Sequence, residues 1–582
     1  MSRILRCFAL TLLVTKSGWA KDYLETFLPE TTLLSVSIDS APGLLETMDS
    51  GALGKLISEE KREEWLSEND EPFELDDGEQ YLLPGGEALS FSNIEELING
   101  RISFSIVSLD EGEVDPEPNI VIMADFGGDL DAYKFLQTID RGEDSGAVLL
   151  LEEDYAGTTL FIEELDFGDE DSWAAEYWAL VDGIAIETTS LELLKNTVDA
   201  VLDGSARDSL AESADFQRAL DLAGEGQMRA YANLGSAVTV LQDYMKNEIG
   251  ELPLNPLGVT FDSLWSSLAL DTLDAAFASI DVEGEYLSSS FGFLYDERRG
   301  LLSLMAYSQD PIEYPHWVPE DAVKSTVAMI DFQGAWTAFE GLMNDMSPNF
   351  GALLQLQLDN FREKSGIDLR ESLINNFGEH FYSFSLWEDE SGDPAEDDSL
   401  DYGIPNESMV FAIPVRDPQA FQNSIKAMTE VFLPGMEVIQ EREFLDYTIF
   451  SLNAQAGGDS GFGYALANDY LFVGTGSIKP LERTLYRLNE SDDGLWSEVD
   501  VVNALKELPP NPIGNEYYDL GQAMEKLSGL LQPDWTMGAL DDSLNPEFLE
   551  IFQDVELPYI VLSGAYVLDG AQVNETIIIP KE

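Results

Sequence analysis

Residues 177–197, YWALVDGIAIETTSLELLKNT, combine a strand pattern, a turn pattern and a helix pattern within one short stretch. Apolar and aromatic residues flank Asp182-Gly183, and this pair favours the two-residue turn of an antiparallel hairpin. Ser190 follows, with leucines at helical spacing behind it, so the stretch predicts a helix that begins after a serine N-cap. Hairpin strands that lead into helices are typical of an α+β fold.

The same pattern returns at residues 464–484, YALANDYLFVGTGSIKPLERT. Six residues are identical at one offset of 287: Tyr177 and Tyr464, Asp182 and Asp469, Thr188 and Thr475, Ser190 and Ser477, Leu194 and Leu481, Thr197 and Thr484. Residues 231–241 and 517–527 also match, at an offset of 286. These matches predict an internal duplication into two homologous halves, residues 22–300 and 313–582. Each half is expected to be mainly antiparallel sheet with amphipathic helices packed against it.

The second copy carries glycines where a phosphate-binding loop would need them. Gly474 and Gly476 follow a strand and precede a helix, as in half of a dinucleotide-binding motif. The first copy has Glu187 and Thr189 at those positions, and an acid there would repel a pyrophosphate. The two copies share the serine and an apolar stripe, formed by Leu191, Leu194 and Val198 in one and by Ile478, Leu481 and Leu485 in the other. A cap and a buried stripe favour a structural role over nucleotide binding.

The chain is strongly acidic, with 111 Asp and Glu against 30 Lys and Arg and a formal net charge of −81. Such a surface disfavours nucleic-acid partners, because it repels phosphate backbones. Solvation in a salty medium and binding of Ca²⁺ or of a basic partner both remain open. The acidic clusters at residues 110–117, 166–171 and 388–401 lack the spacing of an EF-hand loop, so they favour solvated loops over a specific calcium site.

The first twenty residues predict an export signal. Arg3 and Arg6 precede an apolar run at residues 7–14, and Ala20 ends a stretch suited to cleavage. No later stretch has the roughly 18 consecutive apolar residues of a transmembrane helix. Cys7 is the only cysteine, so the mature chain would hold no disulfide, which fits a bacterial periplasmic or extracellular location.

The residues that carry common catalytic chemistry are scarce. Residues 458–461 spell GDSG, but the chain has just two histidines, His316 and His380, and neither stands in a serine-protease context. A histidine-rich zinc site is excluded for the same reason. Trp178 and Trp317 lie among apolar neighbours, where core packing is expected. The sequence therefore assigns no catalytic, cofactor-binding or metal-binding residue.

The start LPETTLLSVSIDSAPGLL and the repeated strand–TxS–helix segments resemble a group of exported bacterial proteins known as a domain of unknown function. The resemblance spans most of the mature chain. It implies an exported α+β protein without an established activity, and it carries over no catalytic residue.

The leading hypothesis is a non-enzymatic exported protein with a binding or envelope-associated role and a protein or polysaccharide partner. One alternative is a carboxylate-dependent polysaccharide hydrolase, which would need two acids at a catalytic separation. The other is a binding module stabilised by Ca²⁺. The identity of the partner is not predicted.

Overall fold

A computed structural model describes residues 23–39, 100–109, 118–125, 149–166, 173–224, 226–249, 256–387, 407–432, 439–452, 462–490, 493–523 and 558–581. Contacts divide the chain into two compact units. The first unit is Met1–Thr239 with Leu273–Tyr295, and the second is Val240–Thr272 with Asp296–Glu582. The predicted export signal and the GDSG stretch lie outside the described residues.

The first unit contains ten described strands: β1 (Leu34–Ile38), β2 (Ile102–Leu109), β3 (Pro118–Asp125), β4 (Leu149–Tyr155), β5 (Thr158–Asp166), β6 (Trp173–Val181), β7 (Ile184–Thr188), β8 (Met228–Asn233), β9 (Leu273–Glu283) and β10 (Tyr286–Tyr295). Antiparallel pairing gives the order β4-β5-β6-β7-β3-β2-β1-β8-β9-β10. Helices α1 (Leu191–Asp203) and α2 (Ala214–Ala223) pack on β6–β7 and on β9–β10. Short 3-10 helices lie at Leu24–Phe27 and Leu210–Glu212.

Helix α3 (Leu234–Ile249) follows β8, and α4 (Phe261–Leu268) and the 3-10 helix Leu270–Thr272 belong to the second unit. That unit continues with α5 (Leu301–Leu304), α6 (Phe332–Met346), α7 (Pro348–Ser365), α8 (Leu369–Ser372), α9 (Pro418–Phe432), α10 (Lys479–Arg487), α11 (Val499–Glu507) and 3-10 helices at Ile374–Asn376 and Leu495–Ser497. Within the described residues, α6 packs against α4, α5 and α7.

Ten described strands form the sheet part of the second unit: β11 (Lys324–Met329), β12 (His380–Trp387), β13 (Glu407–Pro414), β14 (Ile439–Phe444), β15 (Tyr447–Leu452), β16 (Gly463–Ala467), β17 (Tyr470–Thr475), β18 (Gly514–Asp519), β19 (Tyr559–Leu568) and β20 (Ala571–Pro580). Their order is β14-β15-β16-β17-β13-β12-β11-β18-β19-β20. This is the order of the first ten strands with ten added to each number.

The predicted fold class is wrong in one respect. The sequence predicted two halves, each with a sheet of its own, whereas all twenty described strands belong to one antiparallel sheet. The mixture of strands and helices agrees with an α+β composition. A period-two pattern identifies the two faces of a strand but not its neighbour, so the sequence could not show where a sheet ends.

The hairpin and cap predicted from residues 177–197 are both confirmed. Val181 pairs with Ile184, and the two turn residues have φ of +48° and +87°, the left-handed region in which Gly183 is unstrained. Ser190 caps α1, because its Oγ accepts the N–H of Leu193 at 3.1 Å. Leu194 and Val198 behind the cap are fully buried.

The matching stretch in the second unit differs in its details. Ser477 is not the N-cap that the sequence predicted, because α10 begins at Lys479 and Ile478 occupies the N-cap position. The Oγ of Ser477 still accepts the N–H of Lys479 at 3.2 Å. A Cβ at Gly474 would stand 3.2 Å from the Cβ of Leu481, so this glycine allows α10 to approach β17 closely. The N–H of Ser477 donates to the Oγ of Ser408 at 2.9 Å, and close packing therefore accounts for the glycine-containing turn.

Replacing Ser190 with alanine is expected to lower the free energy of unfolding by about 1 kcal/mol, because the N–H of Leu193 loses its acceptor. Urea denaturation measures the change. Ser205→Ala is the control, since the Oγ of Ser205 bonds the neighbouring carbonyl of Ala206 and caps no helix. Equal losses for the two variants would contradict the capping role.

The transmembrane prediction is tested directly by the described helices. None of them is both long enough and apolar enough to cross a membrane.

Candidate functional site

The first unit contains an open groove of about 610 Å³ beside α1. We call it the α1 groove. Its lining residues are Phe27, Pro29, Val107, Ser108, Asn119, Ser190, Glu192, Leu193, Asn196, Thr197, Asp199, Ala200, Asp203, Ser205, Ala206 and Arg207. The groove has the size of many small-ligand sites in proteins.

One wall of the α1 groove is held by a ladder of backbone hydrogen bonds. The N–H of Ala206 donates to the carbonyl of Thr26 at 2.9 Å, and the Oγ of Ser209 donates to the same carbonyl at 3.0 Å. The N–H of Leu210 donates to the carbonyl of Leu28 at 2.8 Å. These bonds fasten the chain after α1 to the 3-10 helix that carries Phe27, so this wall is a fixed surface.

The floor of the α1 groove presents hydroxyl and amide groups. The Nδ2 of Asn119 donates to the Oγ of Ser108 at 3.2 Å, across the neighbouring ends of β2 and β3. The Oγ1 of Thr189 accepts the N–H of Ile120 at 3.0 Å and ties the start of α1 to β3. The TTS triplet that precedes α1 therefore joins the helix to the sheet on which the groove rests.

The charged residues of the α1 groove are mostly acidic. Glu192, Asp199 and Asp203 are exposed along α1, and among the described residues that line the groove Arg207 is the one Lys or Arg. Asp199 accepts the hydroxyl of Tyr155 at 2.8 Å. This hydrogen bond and the charge of Asp199 raise the pKa of Tyr155. The groove thus offers many acceptors and a negative field to a ligand.

In the second unit, the positions that correspond to the α1 groove contain a salt bridge. Arg483 on α10 stands where Asn196 stands on α1, and its guanidinium bonds Asp321 through two contacts of 2.7 Å. Residues 28–30 and 318–320 both place Pro-Glu last, at an offset of 290, and at this offset Trp317 matches Phe27. Trp317 is buried, at 3% exposure. The N–H of Leu495 donates to the carbonyl of Val318 at 3.1 Å. The polar groove of the first unit is thus matched by packed and ion-paired residues in the second.

A second cavity, of about 540 Å³, lies within the second unit, and residues 307–312 of its lining fall between the two predicted halves, 22–300 and 313–582. Its wall includes Tyr307 and Tyr314, whose hydroxyls donate to the Oε1 of Gln572 at 3.2 Å and the Oδ1 of Asn515 at 2.8 Å. Arg298 lies over the ring of Tyr307 at 5.3 Å. Burial raises the pKa of both tyrosines. Both tyrosine hydroxyls therefore already have hydrogen-bond partners, and the Nη2 of Arg298 donates to the carbonyl of Met305.

The residues weighed for catalysis do not assemble into a described site. His316 is exposed, whereas His380 stacks on Tyr382 with centroids 5.8 Å apart, and its Nε2 has no hydrogen-bond partner within the described residues. Ser460 lies outside the described residues. No three His, Cys, Asp or Glu side chains in the described ranges come together as a metal site requires. The acidic clusters considered for Ca²⁺ fall almost entirely outside those ranges, so that prediction stays open.

Sequence reasoning missed the α1 groove, although one signal for it was present. Glu192, Asn196, Asp199 and Asp203 follow the spacing i, i+4, i+7 and i+11, which places them along one face of α1. A polar face of this kind is usually solvated. Its position beside the 3-10 helix and the β2–β3 ends depends on contacts between distant segments, which spacing alone does not reveal.

Comparison of the chain with protein families, curated proteins and solved structures identifies no relative from which a function could be inferred. No family model matches the chain, and no curated protein matches it. Two solved structures, crystal forms IV and III of TP0453, are 9% and 8% identical to it, with TM-scores of 0.24 and 0.22. The matches cover 47% and 51% of this chain and 81% and 90% of TP0453. A similarity of this size carries no argument about fold or function.

Proposed function

We propose that this chain is an exported, non-enzymatic binding protein that holds a cationic peptide segment in the α1 groove. The observation that carries the proposal is the chemistry of the groove, in which Glu192, Asp199 and Asp203 border a floor of hydroxyl and amide groups. Phe27 and Leu193 add apolar surface for the alkyl part of a lysine or arginine side chain. The net charge of −81 would also attract such a ligand from distances greater than those of direct contact in the groove.

The repeated sequence supports the choice of this groove. We infer that an ancestral sequence was duplicated, since a duplication accounts for both the matched motifs and the matched strand order. Positions required for folding would then be retained in both copies, while a binding function can survive in one of them. Asn196 and Arg483 occupy matching positions but are not the same residue. Arg483 forms a salt bridge with Asp321, whereas Asn196 lines the open polar groove of the first unit.

The double variant Glu192→Gln/Asp203→Asn is expected to weaken binding of a short labelled lysine-rich peptide by about tenfold, because two groove carboxylates lose their charge. Fluorescence anisotropy titration measures the affinity. It is carried out at about 0.15 M salt, because long-range electrostatic attraction is largely screened at that ionic strength. A glutamate-rich peptide of equal length serves as the negative ligand.

The matched control is Asp221→Asn/Glu283→Gln, which removes two exposed charges from the same unit outside the groove. It is expected to bind the peptide as the unmodified protein does. Equal weakening by both double variants would show general attraction to an acidic surface and would overturn the groove assignment. Absence of measurable binding by the unmodified protein would overturn the choice of ligand.

A further inference from the structure

A small cavity of about 10 Å³ lies in the first unit, where the 3-10 helix Leu24–Phe27, β1, α2, β8 and β9 all contribute to its lining. Glu25 and Arg229 both line it, and both are almost completely buried, at 2% and 8% exposure. Ser35 on β1 also lines it and is 2% exposed. Two buried ionisable side chains therefore line the same small cavity.

Each of these charged side chains leaves one buried atom without a hydrogen bond. Within the described residues, the Oε2 of Glu25 and the Nε of Arg229 have no hydrogen-bond partner. The Nη2 of Arg229 is engaged, because it donates to the Oδ1 of Asp39, and the guanidinium lies 4.5 Å from the ring centre of Tyr23. An unsatisfied buried acceptor and donor each cost on the order of 1–3 kcal/mol, and more when charged.

We propose that this cavity is a binding site for one water molecule that bridges Glu25 and Arg229. The water accepts the N–H of Arg229 Nε and donates to Glu25 Oε2. Ser35 supplies a third contact, since its Oγ accepts the hydroxyl of Ser105 at 3.1 Å and so keeps its own hydrogen to donate. A volume of about 10 Å³ is close to that of one water-sized probe, and three polar partners are typical of a buried water.

Other small occupants fit this cavity less well. A metal cation or ammonium would lie against the guanidinium of Arg229, and an anion would lie against the carboxylate of Glu25. Water alone supplies the donor and the acceptor that the two unpartnered atoms need without adding a charge. The bridge would connect β8 to the 3-10 helix that carries Phe27, and it would do so whether or not the α1 groove binds a peptide.

A crystal structure that resolves ordered waters tests the site directly. The expected result is one density peak within hydrogen-bond distance of both Glu25 Oε2 and Arg229 Nε. An empty cavity, or a direct bond between the two side chains, would overturn the proposal. Glu25→Gln is expected to retain the water, because an amide still offers an acceptor.

The variant Glu25→Met removes the acceptor at similar side-chain length and is expected to lose the water. Amide hydrogen exchange at Leu28, whose N–H donates to the carbonyl of Glu25 at 3.2 Å, should then become roughly tenfold faster, the effect of about one lost hydrogen bond. Glu30→Met, at an exposed acid of the same segment, should leave this exchange unchanged. An unchanged water in Glu25→Met, or exchange accelerated equally by Glu30→Met, would refute the bridge.

Discussion

Replacement of Trp317 by alanine is expected to lower the free energy of unfolding of the second unit by about 3–5 kcal/mol. The indole is 3% exposed and lies in the core of that unit. Its ring meets Tyr382 at 5.6 Å and Phe472 at 5.2 Å, both edge-to-face. Truncation to a methyl group therefore removes a large buried surface, leaves a cavity and ends the aromatic contacts.

Chemical denaturation of Trp317→Ala measures this loss, and Trp317→Phe should recover part of it by refilling the space. Tyr286→Ala is the control for loss of an aromatic ring at the surface, since Tyr286 is 57% exposed, and it should change stability by less than about 0.5 kcal/mol. A loss below about 1 kcal/mol for Trp317→Ala would show that this core relaxes around the change or that the indole contributes little.

The second large effect is expected at Asp519, a carboxylate that is 2% exposed. Its oxygens accept the backbone N–H and the Nε2 of Gln522, each at 2.9 Å, and the Nζ of Lys581 at 2.8 Å. Residues 520–523 are helical, so Asp519→Ala removes their N-cap and a charged hydrogen-bond centre together. We expect a loss of about 3 kcal/mol, from about 1 kcal/mol for the cap and the remainder for hydrogen bonds to a charged group.

The first unit offers a matched control for Asp519. Asn233 occupies the corresponding position and caps α3, because its Oδ1 accepts the N–H of Ser236 at 2.9 Å, but it carries no charge. Asn233→Ala should therefore cost about 1 kcal/mol. If the two alanine variants lose the same stability, the ion pair with Lys581 contributes nothing measurable.

The stability that Asp519 supplies should also depend on pH. Burial acts to raise the pKa of Asp519, but the hydrogen bonds from Gln522 and Lys581 together lower it by more, so the folded pKa lies below the ordinary value. A lowered folded pKa stabilises the protein above the unfolded pKa of about 3.9, and this contribution is lost as the pH falls through the folded pKa. The difference in unfolding free energy between the unmodified protein and Asp519→Asn should be constant above about pH 5 and shrink below about pH 4. A difference that stays constant into the acid range would contradict this assignment.

Both of these effects involve residues that the sequence did not single out as sites. Trp317 was expected in the core, and the structure confirms that burial. Asp519 and Lys581 are 62 residues apart, and no spacing rule relates them. The same holds for Glu25 and Arg229, which line one cavity from widely separated segments.

The features that could be derived from residues alone are local. The turn at Asp182-Gly183 and the cap at Ser190 follow from backbone conformation and from hydrogen bonds over three residues or fewer. The buried stripe of Leu194 and Val198 follows from helical periodicity. Short-range preferences of this kind act on the chain wherever it lies, so they survive into the folded protein.

The features that required the folded chain are those made by distant segments. β1 pairs with β8 far along the chain, and the period-two pattern of either strand is compatible with many partners. The single twenty-stranded sheet, the α1 groove and the Glu25–Arg229 cavity all depend on such pairings. The stretch at residues 177–197 thus specifies a hairpin and a capped helix by itself, whereas the groove beside that helix exists because remote segments pack against it.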